Sequence, residues 1–288
     1  MPKTSAQNIH WRRRLTNGLA VAAVTLAALL VLIPLFAILG TVIAKGSAGL
    51  NWSFFTQLPK PVGEVGGGMA NAIAGSGLIL LVAGVIGVPL GVGAGIFLAE
   101  YGRNMAGNIV RFTSDVLNGI PSIVVGITAY ALIVLKMGHF SAIAGGVALG
   151  IMMIPTVCRT TEEVLLMVPQ SIREAALGLG IPQWRTTLSV VVRTATSGIV
   201  TSIMLAFARV AGETAPLLFT TLGQDFWNWN LTLPTASMPI QIFHYSTSAF
   251  DDWIQKAWTG SMVLIALIIV SVILVRFVSN RGMLKGAR

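Results

Sequence analysis

Long stretches of the 288-residue chain contain no Asp, Glu, Lys or Arg, and this absence constrains the fold more than any other feature. A membrane-spanning helix needs about 20 mainly apolar residues, and a charge inside the bilayer is costly. We therefore predict an all-α, polytopic membrane protein. Its six transmembrane helices are expected near residues 18–43, 72–98, 114–135, 141–158, 195–222 and 257–277.

The composition excludes an ordinary soluble domain. Charged residues make up only 10% of the chain, against about 25% in a typical soluble domain. The net charge of +9 would suit a nucleic-acid-binding protein, but the basic residues flank the apolar stretches. In that position they orient the helices and contact anionic lipid headgroups. We therefore expect membrane lipid, and no nucleic acid, among the partners.

The distribution of Lys and Arg predicts that both termini are cytoplasmic. With the N-terminus inside, the inside loops and ends hold 14 of these residues and the outside loops hold four, with Arg209 left within a span. Positive residues concentrate on the cytoplasmic side of membrane proteins. Residues 1–17 and 278–288 are then cytoplasmic, connections 44–71 and 223–256 lie outside, and connection 159–194 lies inside.

The patterns of common enzyme sites are missing from the sequence. No lysine follows a glycine, which excludes a GK[ST] phosphate loop, and the single cysteine and three histidines lack metal-binding spacing. We predict no catalytic residue, no metal and no cofactor in this chain. The remaining classes of function are transport, assembly and sensing.

The inside connection has the pattern of two short helices joined by a tight turn. Glu174, Ala175 and Ala176 are followed by Gly180 and then Pro182. A glycine can end a helix in the left-handed conformation, and a helix does not usually continue into a proline. The residues alone leave two interpretations, an ordinary amphipathic surface helix or a helix whose small residues enter a groove of a partner.

Two pairs of charged residues accompany the later spans. Arg209 and Glu213 are four apart, so on one helix they would share a face. A straight helix from Arg193 would place Arg209 roughly 24 Å further along, near mid-membrane or beyond. Arg159 and Glu162 are three apart at the inner end of the fourth span.

Each pair has a functional and a structural interpretation. A guanidinium binds phosphate oxygens in a bidentate manner, which suits an anion pathway with its cytoplasmic exit near Arg159. Alternatively, the pair in the fifth span only joins helices, and the pair in the fourth is a solvated helix end. Gly212 and Pro216 should weaken the helix beside Arg209, where a kink could serve as a gate.

The long outer connection is rich in tryptophan. Trp227, Trp229 and Trp253 fall within residues 223–256. They fit either an aromatic belt at the lipid surface or a docking surface for a periplasmic partner.

Four segments carry a resemblance to a known family. Glu174-Ala175-Ala176, three residues and Gly180 resemble the EAA loop of ABC importer permeases, although Arg193 stands where that pattern has proline. Residues 118–126 (NGIPSIVVG), 154–163 (IPTVCRTTEE) and 208–220 (ARVAGETAPLLFT) narrow the likeness. From about residue 71 to the end of the sixth span, the chain resembles the A-type permease subunit of the bacterial phosphate-specific ABC importer.

The resemblance implies a type I ABC importer permease fold over residues 71–277, preceded by a first transmembrane helix at 18–43. It implies a permease subunit of an ATP-driven inorganic phosphate importer, located in the bacterial inner membrane. The implied partners are a homologous second permease, two ATPase subunits that carry ATP and Mg, and a periplasmic phosphate-binding protein. The implied anion-pathway residues are Arg209, Glu213, Arg159 and Glu162, and the implied ATPase-coupling residues are Glu174, Ala175, Ala176 and Gly180.

Two alternatives to this function stay open. One is a permease for another oxyanion, such as sulfate or molybdate. The other is a non-transporting membrane scaffold or sensor whose EAA-like loop binds a different cytoplasmic protein. Charged residues within a span favour transport, because a scaffold would not need them.

Overall fold

A computed structural model describes residues 4–64 and 66–286, with side chains described for residues 11, 13–64 and 66–277. The described residues form helices and loops with no named strand, and one isolated bridge joins Leu222 to Thr235. The all-α prediction is confirmed for this part of the chain. The helices are α1 (Thr4–Gly46), α2 (Trp52–Thr56), α3 (Ala70–Tyr101), α4 (Met105–Gly119), α5 (Ser122–Met137), α6 (Ala142–Leu166), α7 (Gln170–Gly178), α8 (Gln183–Thr194), α9 (Thr196–Val210), α10 (Ala215–Leu218), α11 (Met238–Ser246) and α12 (Asp251–Gly286).

Four of the six predicted spans are single membrane-spanning helices, and the other two positions hold bent pairs of helices. Among the described residues, α1, α3, α6 and α12 are each long and apolar enough to cross a membrane alone. The other two spans are bent pairs, α4 with α5 at 100° and α8 with α9 at 71°. The count of six holds when each bent pair is taken as one span. Residues 1–3 and 287–288 of the predicted cytoplasmic ends lie outside the described residues.

The third span is not the single helix predicted for residues 114–135. Helix α4 ends at Gly119, Ile120 is extended with φ −72° and ψ 129°, and α5 begins after Pro121. A residue before proline is pushed away from helical geometry by the proline ring, which explains the break. The prediction missed it because charge-free composition carries no information about helix direction.

The fifth span also differs from the helix predicted over 195–222. Helix α9 ends at Val210, and a separate short helix, α10, begins at Ala215 with Pro216 in its first turn. Pro216 has no N–H to bond the carbonyl of Gly212, so the helix cannot run through this segment undisturbed. The sequence predicted only a weakened helix near Gly212 and Pro216, but the helix ends completely before them.

The inside connection is shorter than the predicted 159–194. Helix α6 continues to Leu166, eight residues beyond the predicted end of the fourth span, and α8 begins at Gln183. Arg159 and Glu162 therefore lie on a transmembrane helix. The two short helices predicted around a Gly180 turn are present as α7 and the start of α8, with Gly180 at φ +76°.

The glycines of α3 allow it to pack closely along α6. A methyl group added at Gly87 would lie 2.7 Å from Cβ of Met153, and one added at Gly91 would lie 2.7 Å from Cβ of Val157. Met153 and Val157 are fully buried in the main core. Small residues permit this approach where lipid provides little hydrophobic driving force between helices. Gly87 and Gly91 are therefore packing residues that let α3 lie close to α6.

Candidate anion pathway and coupling loop

Polar side chains of α4 and α6 face each other along one line. Helix α4 supplies Arg111, Asp115 and Asn118, spaced four and three residues apart, which places them on one helix face. Helix α6 supplies Thr156, Arg159 and Glu162, spaced three residues apart. We call these six residues, together with Arg209, the polar strip.

Arg159 lies at the centre of the polar strip. Its Nε and Nη2 donate to Oδ1 and Oδ2 of Asp115, each at 3.0 Å, and its Nη1 donates to Oε2 of Glu162 at 3.0 Å. The contact with Asp115 is a two-pronged pair, in which both guanidinium edge atoms meet both carboxylate oxygens. The structure thus brings together the Arg159 and Glu162 side chains singled out from the sequence and adds Asp115.

Glu162 is the most buried member, with only 5% of its side chain exposed. Its second oxygen accepts a hydrogen bond from Nε of Arg111 at 2.7 Å. Arg111 also donates to the carbonyls of Gly102 at 2.9 Å and Leu98 at 3.1 Å, at the end of α3. Glu162 therefore has two cationic partners, as a buried carboxylate requires.

Arg209 extends the strip from the last turn of α9. Its Nη1 donates to Oγ1 of Thr156 at 3.1 Å, and Thr156 Oγ1 donates in turn to Oδ1 of Asn118 at 3.3 Å. Thr156 is fourteen residues into α6, which is about 21 Å along a helix of about 36 Å. The strip holds three guanidiniums and two carboxylates, so it carries one net positive charge.

Glu213 does not join Arg209 on a shared helix face, and that expectation is wrong. Helix α9 ends at Val210, and the N–H of Glu213 bonds the carbonyl of Val210 in a turn. No ion pair of Glu213 occurs among the described side chains. The straight 24 Å helix from Arg193 is also wrong, because the chain bends by 71° between α8 and α9.

The two segments after these breaks pack against each other. A methyl group added at Gly126 of α5 would lie 2.6 Å from Cα of Pro216 in α10. The segments 118–126 and 208–220, both singled out from the sequence, therefore meet next to the polar strip. Gly126 is required there because no larger side chain fits against the Pro216 backbone.

The coupling loop, which we define as α7 and the turn at Gly180, presents the EAA residues unequally. Glu174 and Ala175 are exposed, whereas Ala176 is buried. The turn is a Schellman motif, in which the N–H of Gly180 bonds the carbonyl of Leu177 and the N–H of Ile181 bonds that of Ala176. Glu174 has no ion pair among the described side chains, so its carboxylate is available to a partner.

Arg173 attaches this loop to the membrane helices. Its Nη2 lies 2.9 Å from Oε1 of Glu100 at the end of α3, and both side chains are nearly buried at 12% and 7% exposure. Arg173 also donates to the carbonyls of Leu165 and Val168. We call this arrangement the loop clamp.

Several of these residues were not recognised from the sequence. The sequence prediction gives no role to five of them, Glu100, Arg111, Asp115, Asn118 and Thr156. The four-and-three spacing of Arg111, Asp115 and Asn118 was a usable signal, because it predicts a polar face on a helix. Nothing in the sequence pairs Glu100 with Arg173, which is 73 residues away.

Comparison with known proteins identifies relatives over most of the chain. Residues 91–283 match the family described as "Binding-protein-dependent transport system inner membrane component". The chain is 46% identical to the phosphate transport system permease protein PstA of Yersinia pestis, over 93% of this chain and 91% of that protein. It is 43% identical to the protein of the same name in Haemophilus influenzae, over 88% of this chain and 90% of that protein.

A solved structure shares the fold. One chain of the inward-facing MetNI methionine ABC transporter superposes with a TM-score of 0.57 at 17% identity, over 74% of this chain and 94% of that chain. The predicted type I ABC importer permease architecture is confirmed by this likeness.

Proposed function

Because the chain belongs to the binding-protein-dependent transport system inner membrane component family, we propose that it is a permease subunit of an ATP-driven importer of inorganic phosphate. Two relatives that carry the phosphate transport name match it at 46% and 43% identity over most of their length. The chain is a multi-pass inner-membrane protein. Beyond this family membership, we propose the substrate, the partner subunits and the residues that act in transport.

One observation supports the anion pathway most strongly. Arg209 is exposed and Arg159 is one-third exposed on the surface of this single chain, at the depth of a transmembrane helix. A charged side chain at the bilayer centre costs about 2.5–3.5 kcal/mol even on lenient scales, so this surface is unsuited to lipid. A water-filled path between this surface and a homologous second permease would keep these charged side chains hydrated.

The chemistry of the strip suits a phosphate anion. A guanidinium presents planar pairs of N–H donors that match the spacing of phosphate oxygens, and Arg209 uses only its Nη1 in the contact with Thr156. The single net positive charge favours an anion over a cation. In the proposed path, Arg209 meets the anion first from outside, and Arg159 and Glu162 lie nearer the cytoplasmic exit. Glu213 is proposed to border this path near the end of α9.

The coupling loop is proposed to receive the driving force. Two ATPase subunits would bind ATP and Mg, close, and move α7 through exposed Glu174 and Ala175. The Gly180 turn and buried Ala176 would keep the loop in shape during that movement. The permease pair would then alternate between outward and inward openings.

The outer surface is proposed to contact a periplasmic phosphate-binding protein. Residues 58–62, 222–226 and α11 line an outer cavity of about 520 Å³. Trp227 and Trp229 stack at 5.8 Å beside it and remain exposed. Exposed stacked aromatics next to a concave surface are suited to a protein partner.

The decisive experiment is phosphate uptake by an Arg209→Gln variant. A strain without its own phosphate permease would express this chain with its partner subunits, and uptake of radioactive phosphate, sulfate and molybdate would be compared. We expect loss of phosphate uptake with normal assembly, since Gln removes the charge but retains a polar side chain. Arg193→Gln, an exposed arginine outside the strip, is the matched control and should transport normally.

The alternatives predict different results from this experiment. Restored sulfate or molybdate uptake without phosphate uptake would assign another oxyanion. No uptake of any of these anions by the wild-type complex would favour a scaffold or sensor. Wild-type phosphate uptake by Arg209→Gln would refute the pathway role of this arginine.

A further inference from the structure

Asp115 is bound differently from the other carboxylate of the polar strip. Its two oxygens meet Nε and Nη2 of Arg159 at 3.0 Å each, and 55% of its side chain is exposed. Glu162 is 5% exposed and is shared by Arg111 and Arg159. Asp115 makes no other side-chain hydrogen bond among the described residues. It is therefore the more readily removed partner of Arg159.

The contact of Asp115 with Arg159 has the same geometry as the contact of a phosphate with a guanidinium. The Nε and Nη2 edge of a guanidinium binds two oxygens of a carboxylate or of a phosphate in the same two-pronged geometry. While Asp115 occupies this edge, the Nε and Nη2 pair of Arg159 is not available to an anion, and its Nη1 already donates to Glu162.

We propose that Asp115 is a displaceable plug, which occupies the anion-binding edge of Arg159 between transport events and yields it to phosphate. This inference rests on the proposed function of the chain. Phosphate displaces Asp115 because it brings more oxygen acceptors and, as a dianion, more charge. When the anion leaves, Asp115 returns and closes the path to anions from the inner side.

The burial of the two carboxylates explains why Asp115, and not Glu162, takes this role. Moving Glu162 would leave Arg111 without its carboxylate and expose a buried cluster at the end of α3. Removing one partner of a buried ion pair is strongly unfavourable. Asp115 faces the open side of the strip, where an exposed pair contributes little net stability and exchanges readily.

The test compares Asp115→Asn and Asp115→Glu in the complete importer, reconstituted into proteoliposomes. Binding of radioactive inorganic phosphate without the binding protein, and efflux of preloaded phosphate without ATP, would both be measured. For Asp115→Asn we expect about tenfold tighter binding, the gain from removing one competing charge-assisted pair, and faster efflux. Asp115→Glu should resemble the wild type, because it keeps the competing charge.

A matched control and a double variant separate the plug from general charge effects. Glu163 is an exposed carboxylate on α6 without an ion pair among the described side chains, so Glu163→Gln should leave binding and efflux unchanged. Combining Asp115→Asn with Arg159→Gln should abolish the gain. If the Asn variant fails to assemble, Asp115→Ser removes the same charge and should give the same gain.

The failure of this inference is distinguishable from failure of the proposed function. Unchanged phosphate binding and efflux in Asp115→Asn, together with loss of binding in Arg159→Gln, would overturn the plug and leave the anion pathway intact. Wild-type phosphate uptake by both Arg159→Gln and Arg209→Gln would instead remove the pathway on which the plug depends.

Discussion

The loop clamp allows the contribution of a single carboxylate to be tested. Glu100→Gln keeps the size of the side chain but removes the charge that Arg173 contacts at 2.9 and 3.2 Å. A buried hydrogen bond to a charged group contributes about 1.5–3 kcal/mol. Arg173 keeps its carbonyl partners Leu165 and Val168, so we expect this range and not the full cost of an unpaired buried charge, about 3–5 kcal/mol.

Amide hydrogen exchange measures this loss where it should occur. Because about 1.4 kcal/mol is a factor of ten, opening of α7 (Gln170–Gly178) should become roughly 10- to 100-fold more frequent, with little change in the middle of α6. Coupling of ATP hydrolysis to uptake should fall in parallel. Glu163→Gln removes a nearby exposed carboxylate and is the control. Unchanged protection of α7 in Glu100→Gln would show that the ion pair does not hold the loop.

Two further predictions concern packing and pH. Gly91→Val should lower the unfolding temperature of the detergent-purified protein, because its Cβ would lie 2.7 Å from that of Val157 and overpacking costs about 1–3 kcal/mol. Gly93→Val is the control, because nothing lies within 4 Å of a Cβ at that position. Equal shifts of the unfolding temperature in both variants would contradict the packing argument. Burial raises the pKa of Tyr245 in α11, so above about pH 10 the unfolded chain loses this proton before the folded protein does and stability falls. Tyr245→Phe should reduce that alkaline fall and leave stability near neutral pH almost unchanged, since among the described residues the buried Tyr245 hydroxyl makes no hydrogen bond of good geometry. Melting curves from pH 8 to 11 would check this, and an identical alkaline fall in the variant would refute it.

The sequence was sufficient for the spans and insufficient for the breaks within them. Absence of charge is a direct consequence of the bilayer, so the four spans formed by single helices could be located from it, and the two bent pairs only approximately. Helix direction depends on local backbone geometry, and in the sequence only the presence of Pro121 indicates the bend before it. The sequence predicted a weakened helix near Gly212, whereas α9 ends completely at Val210.

The polar strip could be predicted only in part for a related reason. Arg159 and Glu162 are close in sequence, so helix geometry alone suggested their contact. Arg111 and Asp115 reach the same cluster from α4, 44 to 51 residues away, because α4 packs across α6. Such contacts depend on tertiary packing. The same limit explains why Arg209 was paired with Glu213 in the sequence and with Thr156 in the fold.

The last turn of α3 joins the coupling loop to the polar strip. Its Glu100 holds Arg173 of the loop clamp, while its carbonyls at Leu98 and Gly102 hold Arg111 of the strip. Arg111 in turn holds Glu162, which holds Arg159. Each of these contacts is a hydrogen bond of a charged group. A displacement of α7 therefore either moves the last turn of α3 or breaks the loop clamp. In the proposed importer, a pull on the coupling loop would therefore act first on Arg111 and Glu162. Among the ion pairs of the polar strip, the exposed pair of Arg159 with Asp115 would separate at least cost.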